Sequence, residues 1–200
     1  TVAGRIKKYY GRDAAVIYPP VNVEAYHAAG ADDGYFLIVS RLAPYKRIDL
    51  AIRAFNKLQL PLVIAGVGPE RKNLEALVEN KATTFVGGVS EEKKRELMEH
   101  CTAFVFPGED DFGIAPVEAM AAGKPVLAYR AGGATETVAE GVTGEFFDDP
   151  VPEALADGVR RLRSSMREYN RTQIRKHAEQ FNAERFKNEF AAAVRNAYTA

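Results

Sequence analysis

Short, unbroken apolar runs punctuate the chain: Tyr35–Val39, Leu62–Ala65, Thr84–Val86, Ala103–Phe106 and Pro125–Ala128. They do not alternate with polar residues, which predicts strands buried on both faces, as in a parallel sheet covered by helices. Helical periods fill the intervals. Ile48, Ala51, Ile52, Phe55 and Leu58 recur at helical spacing, and Leu74, Leu77 and Val78 predict the inner face of a helix opened at Gly68-Pro69. Ser90 is a good N-cap, with Glu91 and Glu92 in the electropositive first turn after it. A further helix opens at Phe112-Gly113, runs through Met120 and closes at Gly123 and Pro125. Strand and helix in regular alternation predict the α/β class, a doubly wound parallel sheet with right-handed crossovers.

The ends differ from the middle. Residues 1–25 read as a lead-in: a short basic helix (GRIKKYYGR), a strand (AAVIY) and a turn at Pro19-Pro20. Residues 26–165 carry the predicted ligand-binding domain, and 166–200 read as C-terminal helices. Leu155, Val159 and Leu162 form one apolar stripe in the helical region from 151 onward, and Phe186, Phe190 and Val194 form a second. Repeats and low-complexity segments are absent from the sequence.

Length and charge narrow the class. Two hundred residues suit one domain with a short attachment. The 27 Lys+Arg and 27 Asp+Glu cancel, which argues against a nucleic-acid binder with its large basic excess. No apolar stretch approaches the length of a membrane-spanning helix. The single cysteine, Cys101, leads into the apolar run AFVF and reads as a buried, inert thiol. The chain begins at Thr1 rather than Met, so it reads as a processed protein or a fragment.

Doubly wound sheets bind ligands beyond the carboxyl ends of their strands, so the chemistry is sought in the segment after each apolar run. Those segments are Ser40 to Arg47 (SRLAPYKR), Gly66 to Pro69 (GVGP), Gly87 to Ser90 (GGVS), Pro107 to Gly113 (PGEDDFG) and Tyr129 to Gly133 (YRAGG). Four carry glycine and the first carries a cationic cluster, the composition of a site for a phosphate-bearing ligand. Gly66 and Gly68 lack the third glycine of a dinucleotide fingerprint, since Arg71 stands there, which disfavours an NAD-linked oxidoreductase. The absence of an Asp-x-Asp pair disfavours a diphosphate held through a metal, and His27, His100 and His177 are too scattered to form a ligand cluster. His100, at a helix end, reads as a capping residue. Asp110 and Glu118 bracket a Phe-Gly turn and one helical stretch, with Asp110 in the loop and Glu118 about two turns into the helix. Ala119, Met120, Ala121 and Ala122 make that helix too apolar for a solvated face.

Four motifs occur in order: VIYPPVN, VSRLxPxK, the acidic-x7-Glu segment ending EAMAAGKPV, and GGATETV with EGVTGEFF. With them the chain resembles the C-terminal, donor-binding half of GT-B glycosyltransferases, in the large retaining family of mannosyl- and glucosyltransferases. The resemblance implies that Arg41 and Lys46 hold the donor diphosphate, that Glu118 takes the ribose hydroxyls and that Asp110 lies near the transferred sugar. The family usually has Glu at the position of Asp110, so the shorter side chain is a departure. Phe112, Gly113 and Ile114 would present backbone amides to the phosphate or sugar; Gly66, Gly68, Gly132, Gly133 and Glu136 would shape the donor pocket. The EDDFGI variant resembles members that use GDP-mannose. No cofactor or metal is expected. The implied partners are the nucleotide-sugar donor, a missing N-terminal acceptor-binding domain and a glycan or lipid-linked acceptor. The implied location is cytoplasmic, with any peripheral membrane attachment residing in the missing half. The alternative is a free-standing, non-catalytic nucleotide or phospho-sugar binding module.

Overall fold

The computed structural model describes residues 2–28, 31–79 and 81–199. A basic helix α1 (Val2–Tyr10) precedes an irregular segment, and strand β1 (Phe36–Val39) begins the sheet. There come next α2 (Ile48–Leu58), β2 (Leu62–Ala65), α3 (Arg71–Glu75), β3 (Thr83–Gly87), α4 (Glu91–His100) and β4 (Ala103–Phe106). The second half holds α5 (Ile114–Ala121), β5 (Val126–Tyr129), α6 (Ala134–Thr137), β6 (Gly144–Phe147), α7 (Pro152–Ser164), α8 (Arg171–Glu179) and α9 (Ala183–Thr199).

All strand pairings are parallel, in the order β3-β2-β1-β4-β5-β6. Phe36 is in register with Leu62 on one side and Ala103 on the other, so β1 and β4 are neighbours although three helices and two strands separate them in sequence. The pleat sends alternate residues of β1 into opposite layers. Leu37 packs with Phe104, Val117, Met120 and Ile174, whereas Phe36 and Ile38 pack with Ile52, Phe55, Leu155 and Val159. Helices α2 and α7 cover one face and α5 and α8 the other. Continuous apolar strands between two helical layers are what the sequence pattern predicts.

Several details differ from expectation. The segment AAVIY (14–18) is not a strand: among the described residues no sheet edge is paired with it, and the Tyr18 ring instead packs tilted against Phe112 and edge-on against Phe181. A sixth strand, β6, exists where only a motif was expected, because GEFF finds its partner in β5 rather than in its own apolarity. The helix after Gly68-Pro69 is confined to Arg71–Glu75, with Leu77 and Val78 beyond its end. The His100 imidazole pairs with Asp33, Nδ1 lying 3.2 Å from the carboxylate, instead of capping helix carbonyls. Glu118 is the fifth residue of α5, a little over one turn in rather than two.

The tail is tied to the body as far as α8. The Arg175 guanidinium donates to the carbonyls of Ala121 (2.8 Å) and Tyr26, and the Val21 amide donates to the Phe181 carbonyl (2.9 Å). Beyond it, Phe186 and Phe190 of α9 stack on each other, and Phe190 is 53% exposed.

Candidate functional site

Where strand order reverses, the chain leaves β1 and β4 in opposite directions and a crevice opens above their carboxyl ends. The loop after β1 supplies Arg41 and, through a 3-10 turn over Pro44–Lys46, Lys46. The loop after β4 supplies Asp110 and runs into α5. Two adjoining clefts share Val39, Ser40 and Arg41. One, of about 450 Å3, is lined by Lys46, Asp110, Phe112, Gly113 and Ile114. The other, of about 580 Å3, is lined by Gly66, Gly68, Val89 and Lys94. Arg41 stands where they meet.

Each charged group has a distinct environment. Arg41 is exposed, and its guanidinium makes no hydrogen bond or ion pair with the described residues. Lys46 donates to the Asp110 carboxylate, and both side chains are largely buried. Lys94 Nζ donates to Glu118 Oε1 at 2.9 Å and pairs with the exposed Glu91 at the same distance. Burial works against the Lys94 charge, but the hydrogen bonds with Glu91 and Glu118 outweigh it and hold its pKa above the ordinary lysine value. The Tyr26 hydroxyl is raised, first by burial and then by the charge of the Glu118 carboxylate.

The start of α5 is the third element of the site. Gly113, at its N-cap, has φ +85°, a conformation that disfavours a side chain, and no side chain caps the helix. Amides of the first turn have no intrahelical acceptor, so those of Ile114 and Ala115 are available beside the cleft. Pro116 sits where a missing N–H costs nothing. A helix start, a free guanidinium and an amine over one crevice make an anion site.

The remaining predicted residues build the walls. A Cβ on Gly66 would stand 1.8 Å from the Ser40 carbonyl oxygen, so glycine there lets the loop after β2 lie against the loop after β1. Gly68 packs on Leu42 in the same way. Gly132 and Gly133 lie on the backbone of residues 110–112, the Gly133 amide donating to the Asp110 carbonyl at 2.7 Å. They support the acidic loop from behind. Glu136 is elsewhere: it lines a hollow of about 290 Å3 between α1, residues 14–19 and Phe112, and with burial it raises the pKa of the Tyr18 hydroxyl.

Two residues escaped the sequence reading. Lys94 shares a helical face with the buried Leu97, Met98 and Cys101, and a charge on an apolar face is a signal that was legible. Arg5 of α1 reaches Asp111 (2.6 Å) and Glu109 (3.1 Å), a contact across more than 100 residues with no local signature. Among the described residues no group of three or more His, Cys, Asp or Glu could hold a metal ion, and no helix is long and apolar enough to cross a membrane.

A doubly wound parallel sheet with cations, a free helix start and two carboxylates over its switch point defines a domain for a phosphate-bearing, nucleotide-like ligand. Residues 23–181 match the model of the glycosyl transferases group 1 family, and the chain belongs to that family. It is 36% identical over 150 residues to an uncharacterised glycosyltransferase of Methanocaldococcus jannaschii, covering 69% of this chain and 38% of that protein. It is 34% identical over 111 residues to the GDP-mannose-dependent alpha-mannosyltransferase of Corynebacterium glutamicum, covering 55% of this chain and 26% of that protein. Its fold matches sucrose-phosphate synthase of Thermosynechococcus elongatus with a TM-score of 0.88 at 23% identity, over 98% of this chain and 56% of that one. The match spans less than half the length of either sequence relative.

Proposed function

We propose that the chain is the donor-binding half of a retaining glycosyltransferase that takes mannose from GDP-mannose without a metal ion and delivers it to a glycan or lipid-linked acceptor. The observation that carries this reading is Arg41, without a partner among the described residues, at the junction of the two clefts, with Lys46 and the start of α5 on one side and Lys94, paired with Glu118, on the other. A nucleoside diphosphate laid along the crevice puts its diphosphate against Arg41, Lys46 and the α5 amides. Its ribose then lies toward Glu118, and its sugar toward Asp110. Similarity to the GDP-mannose-dependent enzyme of Corynebacterium supports the choice of donor.

The chemistry is one of charge. As the glycosidic bond breaks, negative charge grows on the departing diphosphate, and fixed donors aimed there stabilise it with no reorganisation at the moment of reaction. Lys46 is neutralised by Asp110. An arriving diphosphate competes for that ammonium and frees the Asp110 carboxylate to accept a hydroxyl of the sugar. Aligning the acceptor against the anomeric carbon needs a second body, the N-terminal domain that the short coverage of the relatives suggests. The stacked Phe186 and Phe190 of α9 offer it an apolar surface.

Thermal unfolding against GDP, UDP, ADP and their sugars, each with and without EDTA, tests the reading. A ligand at a hundred times its Kd stabilises the fold by about 2.7 kcal/mol. GDP and GDP-mannose should raise Tm most, and chelation should leave the shift intact. A shift that vanishes with EDTA would pass the diphosphate role to a bound ion; a shift with NAD and none with the diphosphates would end the proposal.

A further inference from the structure

Of the pair that α4 and α5 bring together, it is Lys94 that lines the cleft beside Gly66, Gly68 and Val89, with Glu118 held against it at 2.9 Å. The Lys94 stem follows the face of α4 that carries the buried Leu97 and Met98, which takes its ammonium to the cleft wall while the side chain stays only 15% exposed. An ammonium has three donors. Glu118 takes one and the exposed Glu91 takes another, each at 2.9 Å. The third has no acceptor among the described residues.

Packing alone does not call for this pair. Apolar side chains in place of a buried ion pair are often neutral or stabilising, and Leu97 and Met98 already make that face of α4 apolar. A ligand gives the ammonium a use. The neighbouring hydroxyls of a ribose both donate and accept. A carboxylate takes only their hydrogens, and oxygen lone pairs left without a donor in the cleft cost affinity. An ammonium standing beside the carboxylate supplies what is missing. We infer that Lys94 is a specificity-determining residue that touches the ribose directly, donating its third N–H to a hydroxyl oxygen while Glu118 accepts from the diol. The cleft then selects ribonucleotides over their deoxy counterparts through a donor as well as an acceptor. The inference rests on the donor reading above.

Calorimetric titration of the chain with GDP, with dideoxy-GDP lacking both ribose hydroxyls and with inorganic pyrophosphate tests this. Lys94→Met deprives the Glu118 carboxylate of its ammonium, so the substitution is made twice: in the parent, and in a Glu118→Gln background where both members become neutral. Should the first variant fail to melt cooperatively, the second pair decides. Lys94→Met should weaken GDP binding about tenfold or more, the loss of one charge-assisted hydrogen bond, and should do so in both backgrounds. Dideoxy-GDP and pyrophosphate should bind equally well with and without the substitution. A loss shared by either of them would mean that Lys94 props the cleft wall or meets the phosphates, and would overturn the inference. A loss that disappears in the Glu118→Gln background would overturn it too, because Lys94 would then act only through Glu118. GDP bound alike by the parent and Lys94→Met would sink the Lys94 contact and leave the donor reading standing, whereas GDP that does not bind the parent would end the donor reading itself.

Discussion

Replacing Glu118 separates a ligand contact from a structural one. Its carboxylate and the Lys94 ammonium are 2.9 Å apart, with side chains only 13% and 15% exposed, so solvent screens the pair weakly. Breaking a fully buried pair costs about 3–5 kcal/mol. Here Lys94 keeps Glu91 as a second partner, so Glu118→Ala should cost less, about 1–3 kcal/mol of stability. The effect on binding is separate. A carboxylate offers several acceptor sites, and Lys94 leaves some of them for a ribose. Losing a hydrogen bond to a charged group removes about 1.5–3 kcal/mol, or roughly 10- to 150-fold in GDP affinity. Inorganic pyrophosphate, which has no ribose, should bind parent and variant alike. Deoxy-GDP lacking the 2′-hydroxyl should bind the parent more weakly than GDP does, and lose less than GDP on going to the variant; that shortfall measures the coupling. Calorimetric titrations of the three ligands, with both proteins shown to melt cooperatively, give all the terms. Equal losses for pyrophosphate and GDP would mean that Glu118 props up the phosphate loop. Unchanged GDP affinity would mean that it does not touch the nucleotide.

Arg41→Ala should lower GDP and pyrophosphate affinity by the same factor, about tenfold or more, with Tm nearly unchanged because the guanidinium has no partner among the described residues. Calorimetry with both ligands checks it, and a loss confined to GDP would count against the diphosphate role. Lys124 is 2% exposed, its Nζ has no hydrogen-bond partner among the described residues, and burial lowers its pKa. Lys124→Met should therefore stabilise the fold by about 1–3 kcal/mol in urea unfolding. In the parent the unfolded chain binds more protons between the lowered and the ordinary lysine pKa, so stability should rise with pH through that window; the variant should lack this slope. Burial pushes the Cys101 thiol up to about 12. A disulfide reagent at mildly alkaline pH should leave it unmodified until the chain unfolds; rapid modification of the native protein would contradict its placement.

What the sequence made legible was whatever depends on short-range pattern. Runs LVIA and AFVF are strands to the residue, because a strand covered on both faces needs little beyond its own apolarity. GEFF and AAVIY reverse that lesson. The first carries Glu145, whose carboxylate accepts from the Tyr169 hydroxyl at 2.7 Å, yet it is a strand because β5 offers an edge; the second is more apolar and is not one, for want of a partner. The same limit governed the site. Arg41, Lys46, Asp110 and Glu118 were identifiable as types in motifs, but their pairing depends on β1 and β4 being neighbours, which no local spacing encodes. That adjacency brings Lys46 to Asp110 across 64 residues, while α4 and α5, packed on one face, bring Lys94 to Glu118 across 24. Both carboxylates are therefore neutralised within the crevice, so two acids can share a site meant for a polyanion without repelling it outright. Arg41 is left as a charge with no partner among the described residues, at the junction where a diphosphate would arrive on the proposed reading. On the proposed reading, a diphosphate is captured first at the exposed Arg41 and the Lys46–Asp110 pair opens only after contact. Increasing salt should accordingly weaken capture at Arg41 more than it weakens the two largely buried pairs.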